Sequence, residues 1–224
     1  MSKFVSIAID GPAGAGKSTM ARACAKALGY LYVDTGAIYR TVGYYMRLMG
    51  IGPKDQDGIR RLIDEVNIDI RYADGVQHMI LNGKDVTDEI RTPLMSSYAS
   101  GVSSQACVRD FLLDMQRELA RRHNVVMDGR DIATVVLPNA DVKIFLTASP
   151  EIRAKRRFAE LQAKGEKTTL EKVLSDMKAR DKQDSTRAVA PLRCAPDAVK
   201  LDTSEMNLEE AKNAILELVR RKLG

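Results

Sequence analysis

Residues 11–18 read Gly11-Pro12-Ala13-Gly14-Ala15-Gly16-Lys17-Ser18, and they follow the apolar run Phe4-Val5-Ser6-Ile7-Ala8-Ile9-Asp10. The pattern is G-x-x-x-x-G-K-S set between an expected strand and an expected helix, the context a phosphate-binding glycine loop requires. Glycines let the backbone curl until several N–H groups face one anion. The helix opening near Lys17 aims its N-terminal partial charge at the same anion. Gly11, Pro12, Ala13, Gly14, Ala15, Gly16, Lys17, Ser18 and Thr19 are therefore expected to hold a nucleoside triphosphate. Lys17 is expected to face the terminal phosphates, and the Ser18 hydroxyl to serve Mg²⁺. The loop does not say what receives the phosphate.

Outward from the loop, short apolar runs alternate with helical patterns. Strands are expected at 5–9, 30–33, 124–127, 141–147 and 198–201. Helices are expected at 17–28, stopped by Gly29, and after Asp34 or Thr35, where Ile38, Val42, Tyr45 and Met49 recur near 3.6 spacing. Others are expected at 57–66, at 108–122, after Ser149-Pro150, after Thr168-Thr169-Leu170-Glu171, which reads as a capping box, and after Asn207. Five apolar strands between helices predict an α/β fold, a five-stranded parallel sheet with helices on both faces. One stretch breaks the pattern. Residues 68–72 alternate, Asp74-Gly75 is a turn signal, 76–81 form a return strand and Asn82-Gly83 is a second hairpin signal. A small antiparallel sheet is thus inserted into the alternating chain. Ligands of such sheets sit beyond the carboxyl ends of the strands. The segments 10–16, 34–36 and 128–131, with Ser149, are expected to meet there.

Composition excludes several classes. The chain has 224 residues, 45% of them hydrophobic, enough for one core with an inserted subdomain. No run approaches the ~20 apolar residues of a membrane span. Reading the N-terminal run as a signal peptide would remove the first strand, so a cytoplasmic protein is expected. Cys24, Cys107 and Cys194 have neither metal nor redox spacing and are expected to be reduced structural thiols. His78 and His123 have no companions suggesting a zinc site. The net charge is +5, but the arginines are dispersed, without a basic tail or an aromatic RNA-binding signature. Small polyanions, rather than nucleic acid, are the expected ligands, and a monomer is expected.

A site that brings a triphosphate to a second polyanion needs cations outside the glycine loop. Arg40 follows the second strand. Arg130 lies in the strand-end turn Asp128-Gly129-Arg130-Asp131, and Arg153, Arg156 and Arg157 open a later helix where positive charge is locally unfavourable unless an anion is bound. The residues alone admit a kinase for a nucleotide, a kinase for another small acceptor such as UMP or an alcohol, and a non-enzymatic nucleotide switch or RNA-binding module. No base-reading N-K-x-D stretch of a GTPase switch is present.

Four blocks together carry a resemblance. They are residues 11–18, Asp34-Thr35-Gly36-Ala37-Ile38-Tyr39-Arg40, Asp128-Gly129-Arg130-Asp131, and Asp184-Ser185-Thr186-Arg187-Ala188-Val189-Ala190-Pro191-Leu192. With the hairpin insertion, they make nearly the whole chain similar to the bacterial cytidylate kinases. The resemblance implies transfer of a phosphoryl group from Mg·ATP to CMP or dCMP. It also implies a core of 1–35, 106–152 and 169–224, a nucleoside monophosphate-binding subdomain of 36–105 and a mobile lid of 153–168.

The resemblance further implies site roles. Arg40, Arg130 and Arg187 match residues that hold the acceptor phosphate. Ser100, Arg109 and Asp131 match those that recognise cytosine, and Arg180 and Asp184 match those at the acceptor ribose. Thr35 stands where relatives often have Ser, and its hydroxyl serves the nucleotide site. Arg153 and Arg157 match lid-side arginines near the phosphates. Lys17, Arg130, Arg153, Arg157 and Arg187 are thus the expected catalytic set. Gln183 and Ser185 stand where some relatives carry a basic residue.

Overall fold

In the computed structural model, which describes residues 4–163 and 165–224, strand β1 (Ser6–Asp10) is buried along its whole length. Its side chains alternate between two apolar cores, Ala8 on one face and Ile7 and Ile9 on the other, as the two-residue repeat of a strand dictates. Strand β6 (Val125–Gly129, numbered in chain order) splits the same way, Val125 and Met127 toward one core and Val126 toward the other. With β2 (Leu31–Asp34), β7 (Val142–Thr147) and β8 (Val199–Asp202) they form the expected parallel sheet, in the order β2-β6-β1-β7-β8.

Helices α1 (Lys17–Leu28) and α8 (Leu208–Leu223) cover the Ile7 face through Met20, Ala21, Cys24, Ile215 and Val219. Helices α2 (Thr35–Leu48) and α5 (Ala106–Arg122) cover the other through Ile38, Val42, Met46, Val108 and Leu112. A sheet covered on both faces favours apolar side chains on both, which is why its central strands read as largely apolar runs, whereas outer β8 (Val-Lys-Leu-Asp) alternates. Each fully buried Ile contributes roughly 2 kcal/mol by leaving water.

The insertion comprises α3 (Gln56–Leu62), β3 (Ile68–Ala73), β4 (Val76–Leu81), β5 (Lys84–Asp85) and α4 (Pro93–Val102). Its three strands pair antiparallel in the order β3-β4-β5. Both hairpins turn where the sequence signals them, with positive φ at Asp74 (51°) and Gly75 (74°) and at Asn82 (48°) and Gly83 (85°), the geometry of the tight turns that follow strand twist. The apolar core continues across the 35/36 boundary, since Val33, Ile38 and Met79 share one cluster.

Two local expectations are corrected. The helix expected over 57–66 ends at Leu62 and continues as a 3₁₀ turn, Ile63–Glu65. The capping box expected at Thr168–Glu171 does not form. Thr169 caps α7 (Leu170–Thr186) by accepting from Lys172 N–H at 3.2 Å, so Glu171 lies one position short of reciprocating. Helix α6 (Pro150–Ala163) opens after Ser149, as expected. The three cysteines are unpaired, and burial pushes the Cys24 thiol up to about 11, as befits an inert packing residue. Half-buried His78 sits 2.9 Å from Asp85. No described helix is long and apolar enough to cross a membrane.

Candidate active site

The sheet register decides which strand ends meet. β1 pairs Asp10 with Gly129, and β2 pairs Asp34 with Asp128. The glycine loop, the Asp34 turn and the 128–131 block therefore emerge side by side, at the edge of a cleft of about 890 Å³. Gly11 leaves β1 at φ 151°, and a Cβ there would lie 1.9 Å from the Leu146 carbonyl oxygen on β7, so no other residue fits.

At the loop end, Lys17 is buried and its Nζ donates to the Pro12 carbonyl at 2.7 Å. Burial first, then the charges of Arg130 and Arg180, hold its ammonium well below the usual lysine range, against the pull of Asp128 and Asp10. Ser18 Oγ donates to Asp128 Oδ2 at 2.8 Å, and the Tyr32 hydroxyl donates to Asp128 Oδ1 at 2.8 Å. Burial and the neighbouring Asp34 raise the Asp128 carboxyl. Thr35 Oγ1 donates to the Asp128 carbonyl at 2.7 Å, tying the second strand end to the third. Asp10 accepts from the amides of Ile132 (2.9 Å) and Ala133 (2.7 Å), the opening of a π-helical turn, Ile132–Val136. It thereby sets the backbone just beyond Asp131.

Elsewhere on the cleft lining, Arg109 and Asp131 form a buried ion pair, and Arg187 Nη2 donates to the other Asp131 oxygen at 3.3 Å. Arg109 also donates to the Ser103 carbonyl at 3.1 Å and lies 5.5 Å over the Tyr39 ring. Arg130 Nε donates to Asp184 Oδ2 at 2.9 Å. Burial would raise the Asp184 carboxyl, but Arg130 and Arg180 hold it below the usual range. Arg180 is pushed down to about 10 by burial, with Arg130 adding to the effect. Arg40 Nη2 donates to Asp34 Oδ2 at 2.9 Å. Gln183 Nε2 donates to the Ser100 carbonyl at 3.3 Å, joining α7 to α4.

The cleft lining thus brings together Gly14, Gly16, Lys17, Ser18, Thr19, Thr35, Arg40, Ser100, Arg109, Arg130, Asp131, Arg157, Arg180, Asp184 and Arg187. Ala13 reaches its rim, whereas Gly11, Pro12, Ala15 and Arg153 do not line it. Arg153 is buried behind the loop. Its Nη1 donates to the Ala13 carbonyl (2.9 Å) and to Asp181 Oδ2 (2.7 Å), and its Nε donates to the Ala148 carbonyl (2.9 Å). Arg156 is likewise turned away, onto the carbonyl of Thr203 at 2.7 Å.

Four residues of the site had no role of their own in the sequence reading, although Asp10 and Asp128 lie in strand-end segments expected to meet there. Asp128 carried a signal, a carboxylate ending the strand beside the glycine-loop strand. Asp10 carried the same signal. Tyr39 stood in the Asp34–Arg40 block without a signal of its own, and nothing separated Asp181 from the charged residues around it. Among the described residues no three His, Cys, Asp or Glu side chains gather as a metal site. Mg²⁺ that arrives on nucleotide phosphates needs only one or two protein groups. The adjacent Ser18 hydroxyl and Asp128 carboxylate fit that requirement.

A glycine loop and clustered arginines lining one cleft are built to hold two polyanions together, the task of a P-loop phosphotransferase. The family profile of cytidylate kinases matches residues 7–221. The cytidylate kinase of Caldicellulosiruptor bescii is 50% identical over 216 residues, 96% of this chain and 96% of that one. That of Carboxydothermus hydrogenoformans is 48% identical over 216 residues, 96% of this chain and 97% of that one. The chain belongs to the cytidylate kinase family. In fold alone, it is similar to an uncharacterized protein from Eubacterium ventriosum, with a TM-score of 0.51 at 13% identity, over 98% of this chain and 99% of that one.

Proposed function

We propose that this chain phosphorylates CMP and dCMP with ATP, giving CDP and dCDP. An oxygen of the acceptor phosphate attacks the γ-phosphorus, the bond from that phosphorus to the β–γ bridging oxygen breaks, and ADP leaves. The attacking oxygen is already anionic, so no general base is required. Catalysis then consists of positioning and charge stabilisation.

One observation carries the acceptor side of this reading. Three buried polar atoms on the cleft lining, Arg40 Nε, Ser100 Oγ and Arg180 Nε, have no hydrogen-bond partner within the described protein. Buried polar atoms are nearly always paired. A ligand presenting a phosphate, a base edge and a ribose would complete all three. Arg40, Arg130 and Arg187 would hold the acceptor phosphate, Arg180 and Asp184 the ribose, and Ser100, Arg109 and Asp131 the base. Thr35 would serve the same nucleotide. Lys17 and Arg157 would stabilise the group in flight, with the amides around Gly14, Gly16, Ser18 and Thr19 holding the donor phosphates. Ser18 and Asp128 would hold Mg²⁺, which supplies charge neutralisation at the phosphates. Arg153 would act through Ala13. Every role named above falls to a residue of this one chain, which supports action as a monomer, and the unpaired cysteines fit the reducing cytoplasm.

The test is ADP release from Mg·ATP with CMP, dCMP, UMP, AMP and GMP in turn. CMP and dCMP are expected to be used far better than the others. Equal use of UMP would overturn the base assignment, and no ADP release with any monophosphate would overturn the reaction.

A further inference from the structure

Strand β2 is an outer strand of the parallel sheet. An outer strand leaves alternate backbone groups without a neighbouring strand, and proteins cover such edges. Here side chains of the inserted sheet do so. Gln77 on β4 is buried, and its amide grips one residue of β2 by both backbone groups. Oε1 accepts from Asp34 N–H at 2.8 Å and Nε2 donates to the Asp34 carbonyl at 3.3 Å. Gln77 Nε2 also faces Met79 Sδ at 3.1 Å. Two residues earlier on the same edge, the hydroxyl of Tyr72 on β3 donates to the Tyr32 carbonyl at 3.1 Å.

Asp34 is the residue through which the edge reaches the cleft. Its carboxylate caps α2 by accepting from Ala37 N–H at 2.8 Å, and it holds Arg40 Nη2 at 2.9 Å. Arg40 is seated directly over the turn, because a Cβ on Gly36 would lie 3.0 Å from Arg40 Nη1 and 3.1 Å from Asp34 Oδ1. A further donor of the same guanidinium, Arg40 Nε, is buried without a partner among the described residues. The chain of contacts therefore runs from the inserted sheet, through one glutamine, to the guanidinium that awaits a ligand.

We infer that the inserted antiparallel sheet sets the position of Arg40 toward the acceptor phosphate, and that Gln77 is the positioning residue through which it does so. The inference rests on the reading of Arg40 given above. A glutamine is suited to the task because one planar amide offers an acceptor and a donor side by side, matching the N–H and C=O of a strand edge.

Steady-state kinetics of the wild type, Gln77→Ala, Arg40→Ala and the double variant, varying CMP and ATP separately, test it. Arg40→Ala is expected to raise KM for CMP by about tenfold or more, the scale of a lost charge-assisted contact. Gln77→Ala is expected to raise KM for CMP about fivefold, with KM for ATP unchanged, as a small misplacement of a binding group does. In the Arg40→Ala background Gln77→Ala is expected to do nothing further, because coupled residues are not additive. An unchanged KM for CMP in Arg40→Ala overturns the reading of Arg40 and the inference with it. A normal Arg40→Ala response overturns the inference alone if Gln77→Ala acts equally in both backgrounds, acts equally on ATP, or has no effect. Should Gln77→Ala fail to fold, Gln77→Glu keeps the size and the acceptor for Asp34 N–H but turns an oxygen toward the Asp34 carbonyl. It is held to the same outcomes.

Discussion

Half-buried Asp181 and buried Arg153 form an ion pair of 2.7 Å, and together they hold Ala13 of the glycine loop by both backbone groups. Arg153 donates to the Ala13 carbonyl, and Asp181 accepts from the Ala13 N–H at 3.3 Å. Asp181 lies on α7, one turn before Asp184, so the helix that carries acceptor-side residues also braces the loop. Asp181→Ala leaves a buried guanidinium unpaired and is expected to destabilise the fold by about 3 kcal/mol. It is also expected to weaken ATP binding while sparing CMP binding. Thermal melts and separate calorimetric titrations check both halves. Equal losses for the two nucleotides would show that α7 acts on the whole cleft.

Lys17→Met should lower turnover at least about a hundredfold, the scale of one lost transition-state charge contact. It should not weaken the fold. Burial, reinforced by Arg130 and Arg180, already disfavours the charged lysine. Removing the charge is therefore expected to leave Tm unchanged or higher. A variant with near-normal turnover would remove Lys17 from the transferring phosphate.

Asp131 has two neighbours as well as the proposed base, since Arg109 and Arg187 each take one of its oxygens. Asp131→Asn is expected to narrow the ratio of kcat/KM for CMP over UMP, because an amide can donate to the uracil carbonyl as well as accept from a cytosine amino group. Sites built on buried polar pairing discriminate strongly because the wrong ligand leaves their own groups unsatisfied. A fall in both efficiencies with the ratio unchanged would mean that Asp131 acts only by orienting the two arginines.

The proposed lid should move over less of its length than 153–168. Arg153 is fastened to Ala13, Ala148 and Asp181. Beyond Arg157 the segment is held by a small apolar cluster of Ala154, Val173 and Met177 with Phe158 and Leu161. Few buried contacts mean a low local opening free energy. Hydrogen exchange is expected to slow on binding a two-substrate analogue at amides 158–163 and 165–168, with little change at 150–157. Equal protection with and without the analogue would argue against a lid.

Asp10 should make stability depend on pH. Burial pushes its carboxyl from 3.8 up to about 7, against the pull of the Ala133 and Ile132 amides. A carboxyl raised on folding binds its proton more tightly in the native state. Its contribution is therefore full below the unfolded value and falls as pH rises from about 4 to about 7. Tm is expected to decline more steeply over that window in the wild type than in Asp10→Asn. Parallel profiles would show Asp10 ionised throughout.

What the sequence determined by itself was local or periodic. The glycine loop is contiguous, most of the sheet strands announce themselves by apolar runs, and the hairpins by Asp-Gly and Asn-Gly. The strand-end segments were legible because a parallel sheet puts all its carboxyl ends on one side, so Asp10, Asp34 and Asp128 had to meet once five such strands were counted. The capping box failed by one residue because Thr168 and Thr169 offer the same chemistry, and only the packed start of α7 chooses between them. The tertiary structure decided where side chains find partners far along the chain. Arg153 reads as a cleft arginine until its partner 28 residues on turns it behind the loop. Gln77 reads as an ordinary strand residue until the folded sheet brings it to Asp34, 43 residues away. Ser18 and Asp128, 110 residues apart, meet because β1 and β6 pair in one register and no other. A backbone preference acts over a few residues and leaves its mark there, whereas a side-chain partner is chosen by sheet register and burial, which exist only when the whole chain has closed on its core.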